Sequence, residues 1–369
     1  MTQRVSDRPA ITVFLGTKAQ YIKTAPVLRS LDRRGVPYRL IDSGQHAALL
    51  ADLRVELGVR GPDVRFGDST DIDSIPQAMV WASKIAWKGL RPSLLRRDVF
   101  GPEARLCVVH GDTPSTLLST LLARRAGLDV VHLEAGLRSH SLLHPFPEEL
   151  IRLAVMRASR LLFAPSPEAV DNLRAMRVKG EVVPVAGNTS VDALRASLPE
   201  LPATGSGPAI VTMHRVENLH RRHEVAGFVA LVLRIAADHG VRFVVHGPTA
   251  AVIERSGHLP ALEAAGVEIV PLIPHGDFTR QLAAAPVVVT DGGSVQEECA
   301  LLGVPTLLWR HRTERADGLG ANVVLLAGDA SAGEAVLRDL DSYRRPPRWL
   351  EGPSPAEVIV DHLVESVDG

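Results

Sequence analysis

Cysteine is nearly absent from this chain of 369 residues, which carries only Cys107 and Cys299. Two thiols with apolar neighbours exclude a disulfide scaffold and a thiolate metal centre, and fit core positions in a reducing cytoplasm. Charge of one sign is missing too: the net charge is −1, which gives no electrostatic case for nucleic acid or an anionic membrane. No apolar run approaches membrane-spanning length, and the polar N-terminus has no signal-like core. No Gly-x-Gly-x-x-Gly follows the first strand pattern, which argues against nicotinamide-dependent oxidation. No Cys/His cluster announces a metal, and the chain is expected to work without a cofactor.

What is present is ordinary globular composition, 46% apolar and 22% charged, in a chain long enough for two domains. Strand-like runs alternate with helical patterns. In the first half they are Ile11–Gly16, Tyr38–Asp42, Arg105–His110, Val130–Glu134, Leu161–Ala164 and Glu181–Ala186. In the second half they are Ala209–Met213, Arg242–His246, Glu268–Pro271, Val287–Thr290, Thr306–Trp309 and Val323–Ala327. The alternation predicts an α/β fold of two doubly wound, Rossmann-like domains facing each other across a cleft. The first is expected over 1–197, a Pro- and Gly-rich linker over 198–208, and the second domain over 209–350. A last helix in 351–369 is expected to pack back on the first domain. The stretch at 76–87, with Trp81 and Trp87, predicts a helix used for packing.

In doubly wound sheets, ligands bind beyond the carboxyl ends of the strands. The chemistry-bearing residues fall there. Lys18 and Lys23 follow the first strand, and His46 follows the second. Asp112 follows the third, before an N-cap (Thr113) and Pro114, so that it reads equally as a capping carboxylate. Glu134 ends the fourth strand, where an acid followed by Ala135-Gly136 has no evident packing reason. Glu148 and Arg152, four apart, share a helix face. In the second half, His214, Arg215, Glu217 and Asn218 end one strand and His246 ends the next. Then Asp291-Gly292-Gly293-Ser294 turns from strand to helix, where backbone N–H groups and the helix dipole suit a phosphate. Glu297 and Glu298 lie one turn further on, where a ribose diol could be gripped, and Arg315 could reach a ligand on the turn.

Three carboxylates and a histidine beside a diphosphate site suit proton abstraction from carbon with departure of a phosphate. In order and spacing these motifs resemble the non-hydrolysing UDP-N-acetylglucosamine 2-epimerases. The shared stretches are His-Gly-Asp-Thr at 110–113, Glu-Ala-Gly-Leu-Arg at 134–138 and Pro-Phe-Pro-Glu-Glu at 145–149. They continue with Gly-Asn-Thr at 187–189, His-Arg-x-Glu-Asn at 214–218, Val-Gln-Glu-Glu at 295–298 and Thr-Glu-Arg at 313–315.

The resemblance implies a glycosyltransferase-B-type fold and interconversion of UDP-N-acetylglucosamine and UDP-N-acetylmannosamine. UDP would be eliminated to leave 2-acetamidoglucal and then be added back. Asp112, Glu134, Glu148 and His214 become the catalytic candidates, with the carbon 2 base unassigned. Arg138 and Arg152 would orient those acids or the phosphate. Gly292, Gly293 and Ser294 would hold the diphosphate, Glu298 the ribose, and Lys18 and Lys23 the phosphate side. Arg215, Glu217, Asn218, His246 and Arg315 complete the expected UDP contacts, and a homodimer is the family expectation.

Several positions depart from the family pattern. Lys18-Ala19-Gln20 stands for Arg-Pro-Glu, exchanging a bidentate fork for a point charge and removing an acid. Gly292-Gly293-Ser294 stands for Ser-Gly-Gly, and Ile151 for an asparagine. The alternatives left open are hydrolytic release of N-acetylmannosamine, action on another nucleotide sugar, and glycosyl transfer.

Overall fold

The computed structural model of the chain describes residues 9–44, 47–66, 91–141, 147–219, 221–327, 329–348 and 352–368. The chain divides into two compact units, one formed by Met1–Ala193 with Gly352–Gly369 and the other by Leu194–Glu351. Each is built on one all-parallel sheet.

In the first unit the strand order is β3-β2-β1-β4-β5-β6-β7. The strands are β1 Ile11–Leu15, β2 Tyr38–Asp42, β3 Val64–Arg65, β4 Leu106–His110, β5 Asp129–Leu133, β6 Leu161–Ala164 and β7 Glu181–Pro184. Every residue of β1 and β4 is buried. Unbroken apolar runs are what parallel strands covered on both faces require. On one face the Lys18–Arg33 helix packs with Tyr21, Ala25, Leu28 and Leu31, joined by Ala356, Ile359, Val360 and Leu363 of the Pro355–Asp368 helix. Those two helices are also stapled at the surface, where Arg33 reaches Glu357 at 2.6 Å and Arg34 pairs with the same carboxylate. On the other face Leu122 and Ala123 of the Pro114–Arg125 helix pack with Ile151 and Val155 of the Glu148–Ala158 helix.

The second unit repeats the plan with six strands in the order β10-β9-β8-β11-β12-β13. These are β8 Ala209–Met213, β9 Val241–Val245, β10 Glu268–Pro271, β11 Val288–Thr290, β12 Thr306–Leu308 and β13 Val323–Leu325. Its core centres on Phe228, which meets Phe243 at 5.8 Å and Trp309 edge-on at 5.7 Å.

The doubly wound α/β class therefore holds in both units. Strand β3 is an addition: its two residues, Val64 and Arg65, are too short and too polar to show a strand pattern. The division at Ala193/Leu194 falls inside the Ser190–Ser197 helix, ahead of the 198–208 stretch. The helix expected at 76–87 and the loop residue His46 lie outside the described residues. No helix among the described residues is long and apolar enough to cross a membrane.

Each sheet reverses its winding once, between β1 and β4 in the first unit and between β8 and β11 in the second. Loops leave a sheet in opposite directions at such a point and open a crevice at the strand ends. The motif residues collect at both crevices.

Candidate active site

In the first unit the crevice is closed at its base by a residue that sequence reading treated only as a lost charge. Gln20 is 3% exposed. Its Oε1 accepts from the Gly16 and Thr17 N–H groups at 2.7 and 3.1 Å, while Nε2 donates to the His110 carbonyl at 2.8 Å. The hydroxyls of Thr113 and Thr116 lie within 3.0 Å of the same Nε2. A glutamate could accept but not donate there, so the amide fits its surroundings as an acid would not. Thr17 completes the tie as a capping box at the start of the Lys18–Arg33 helix, whose first residue, Lys18, is half-buried.

Glu134 sits one residue past β5 with a left-handed backbone, φ +62°. Lys23 Nζ and Asn188 Nδ2 donate to its Oε1 at 2.7 and 2.5 Å, and His110 Nδ1 lies 3.6 Å from Oε2. Lys23 was expected to face a phosphate, and its ammonium is instead ion-paired to this carboxylate. Asn188, in the Gly-Asn-Thr motif, was not assigned a role. Its signal was there in the motif, but nothing in that motif names the partner.

A second cluster stands beside the first. Arg152 pairs with Asp112 and, at 3.2 Å, with Glu149, which also pairs with Arg138. Asp112 is thus more than a helix cap. Of the two adjacent acids, Glu149 is buried completely. Burial opposes its ionisation, but the Ser139 N–H and the guanidinium groups of Arg138 and Arg152 hold its carboxyl below the usual range. Glu148 is different. Its Oε2 is enclosed and has no hydrogen-bond partner among the described residues. One acid of the pair is consumed by structure, and the other keeps an oxygen that no described residue bonds.

His132 lies between the clusters, fully buried, with Nε2 against the Gly111 carbonyl at 2.8 Å. Burial, with the nearby Arg152 charge, pushes its imidazole down to about 4. The unfolded chain takes up this proton near pH 6.5 and the native chain does not, so stability falls as pH drops from about 6.5 to about 4. The loss is on the order of 3 kcal/mol. Urea unfolding at pH 7 and pH 4.5 should show that slope in the parent chain and lose it in His132→Gln. An equal slope in both would remove His132 as its source.

In the second unit the glycine turn opens the Gly293–Leu302 helix, with Gly292 at the N-cap and no side chain capping the first turn. A Cβ on Gly292 would lie 2.8 Å from His214 Cε1, and one on Gly293 would lie 3.3 Å from Arg315 Nε. The imidazole and the guanidinium therefore lie over the two glycines. Arg315 is held by Glu297 at 3.0 Å, and Ser294 and Glu298 follow in the first turns.

Asp291 is buried completely and organises the neighbouring motif. Its carboxylate accepts from the backbone N–H groups of His214 and Arg215 at 3.0 and 2.9 Å, from Asn218 Nδ2 at 3.0 Å, and from His214 Nδ1 at 3.1 Å. Arg215 Nε donates to the Asp291 carbonyl at 3.1 Å. His246, after β9, places its ring 5.3 Å from that of His214. His214, Arg215, Asn218, His246, Gly292, Gly293 and Arg315 are thus brought together. The side chain of Glu217 lies outside the described residues. Each unit has gathered its own half of the predicted set: acids and lysine in one, histidines and the anion-ready turn in the other.

A family model described as "UDP-N-acetylglucosamine 2-epimerase" matches residues 29–347. The UDP-N-acetylglucosamine 2-epimerase of Bacillus subtilis is 30% identical over 352 residues, covering 91% of this chain and 88% of that protein. The enzyme of the same name from Methanocaldococcus jannaschii is 27% identical, covering 91% and 94%. A crystal structure of the Methanocaldococcus jannaschii enzyme in complex with UDP-GlcNAc and UDP aligns with a TM-score of 0.82 at 24% identity, covering 96% of this chain and 99% of that one. The Neisseria meningitidis enzyme bound to UDP-GlcNAc aligns with the same score at 23% identity, covering 96% and 99%. At those identities the structures carry the fold, which is of the glycosyltransferase-B type. With the model covering most of its length and its motifs gathered at the strand ends of both sheets, the chain belongs to the UDP-N-acetylglucosamine 2-epimerase family.

Proposed function

We propose that this chain interconverts UDP-N-acetylglucosamine and UDP-N-acetylmannosamine by eliminating UDP and adding it back. The observation that carries the reading is the unequal treatment of the acids in the first unit. Glu134 is ion-paired to Lys23, Asp112 to Arg152, and Glu148 keeps an enclosed oxygen without a partner among the described residues. Acid–base work at carbon needs one group ready to take a proton and another ready to return it on the opposite face, and differing surroundings let adjacent carboxylates do both.

In the forward half, the carbon 2 proton goes to a carboxylate and its bonding electrons become the carbon 1–carbon 2 double bond. The bond from carbon 1 to the diphosphate oxygen breaks, and its electrons leave with UDP. The leaving diphosphate would lie on the Gly292–Ser294 turn, with the helix dipole, His214 and Arg315 offsetting its charge. Glu298 would take the ribose hydroxyls. UDP rejoins carbon 1 with its configuration kept, a proton adds to the opposite face of carbon 2, and the epimerisation is complete.

Incubation with UDP-N-acetylglucosamine in deuterated water, followed by NMR, tests this. Deuterium at carbon 2 of UDP-N-acetylmannosamine is the expected result. Free N-acetylmannosamine with UDP would establish the hydrolytic outcome, and absence of exchange would overturn the assignment of substrate.

A further inference from the structure

Asp291 opened the glycine motif in the sequence and received no role there. We propose that Asp291 is the positioning residue for His214, holding the ring by Nδ1 so that Nε2 faces the diphosphate over Gly292 and Gly293. The inference rests on the proposed function for the identity of the anion, and on geometry for the rest.

Asp291 has no solvent exposure, and both of its oxygens accept hydrogen bonds. Oδ1 takes the His214 backbone N–H at 3.0 Å and the imidazole Nδ1 at 3.1 Å. Oδ2 takes the Arg215 N–H at 2.9 Å and the Asn218 amide at 3.0 Å. A carboxyl surrounded by donors has no acceptor to receive a proton of its own, so it is ionised. Burial opposes that ionisation, but the bonds from His214, Arg215 and Asn218 hold its carboxyl below the usual range. An ionised carboxylate can only accept, which requires that Nδ1 carry a hydrogen. Nε2 is then the nitrogen left to face a ligand, as in other carboxylate–histidine pairs.

The groups in contact with the ring fix its orientation. Among the described residues they are Asp291 from the end of β11 and His246 from the end of β9, whose ring centroid is 5.3 Å away. Arg215, on the same segment as His214, turns its Nε to the Asp291 carbonyl and its Nη2 towards Glu314 at 3.9 Å. The buried carboxylate bonds the His214 ring, and so His214 is the ring of the pair whose Nδ1 is fixed. The imidazole Cε1 lies where a Cβ of Gly292 would be crowded at 2.8 Å, which sets the ring directly over the turn. Asp291 touches no substrate in this arrangement; it acts through His214.

The test is the ring tautomer of His214, read by NMR in histidine-labelled protein at a pH where the ring is neutral and assigned with His214→Asn, together with kcat and KM of the parent and Asp291→Asn. In the parent, the neutral ring is expected to carry its hydrogen on Nδ1, bonded to Asp291. Asp291→Asn should move that hydrogen to Nε2 and cut kcat by about tenfold or more while KM changes little. A structural role alone would not move the tautomer. A hydrogen on Nε2 in the parent overturns the inference, and so does an unchanged tautomer in folded Asp291→Asn. If that variant does not fold, the parent tautomer decides alone. Because the spectrum needs no turnover, a chain that leaves UDP-N-acetylglucosamine unconverted overturns the proposed substrate, and the tautomer still decides the role of Asp291.

Discussion

Glu134→Gln is expected to slow deuterium exchange at carbon 2 on the order of 10³-fold while leaving UDP binding in place. The substitution keeps an oxygen for Lys23 and Asn188, which now donate to Oε1 at 2.7 and 2.5 Å. It removes the charge and the second proton-accepting oxygen. Lys23 is 5% exposed and would lose its counter-charge, so stability should fall as well. Because Gln still accepts, that fall should be smaller than the about 3–5 kcal/mol of breaking a buried pair outright. NMR exchange, UDP calorimetry and a urea melt on one preparation separate the effects. Undiminished exchange in a folded variant would strike Glu134 from the catalytic set.

Gly136→Ala is expected to be strongly destabilising. Gly136 adopts φ +94°, and a Cβ there would lie 2.3 Å from the Ala169 carbonyl oxygen and 2.7 Å from its carbon. Neither contact can be relieved by a side-chain rotation, because the obstacle is the backbone of the Pro167–Ala175 helix. Left-handed strain and overpacking together should cost about 3–5 kcal/mol. A lower urea midpoint, or accumulation as insoluble protein, is the expected readout. A midpoint within error of the parent would show that the helix can move away freely. The same contact gives the glycine that follows Glu134 in the motif a packing reason of its own.

The sheets were legible because a strand covered on both faces leaves a signature of unbroken apolar residues. Tyr38–Asp42, Leu161–Ala164 and Ala209–Met213 occupy the spans that their patterns mark. Two of the boundary differences fall at the site. Glu134 and His246 read as last residues of strands and stand just beyond them, because there the chain leaves the ladder to present a side chain. What could not be read was pairing. Lys23 and Glu134 are 111 residues apart, His214 and Asp291 77 apart, and their contact depends on the winding of each sheet. The partners of Gln20 are hidden for the same reason. In sequence it is a missing acid, and only the fold reveals the His110 carbonyl waiting for its amide.

That amide has a consequence for how the first unit breathes. A glycine loop after the first strand of such a sheet often offers its N–H groups to a visiting anion, and its amides exchange early with solvent. Here the N–H groups of Gly16 and Thr17 are already taken by Gln20. The loop is a latch, with its hydrogens shielded by a residue four positions along the same chain. Its stiffness is written into one side chain, so that a single truncation of Gln20 would return two backbone donors to the solvent and loosen the floor on which Glu134 and Asp112 stand.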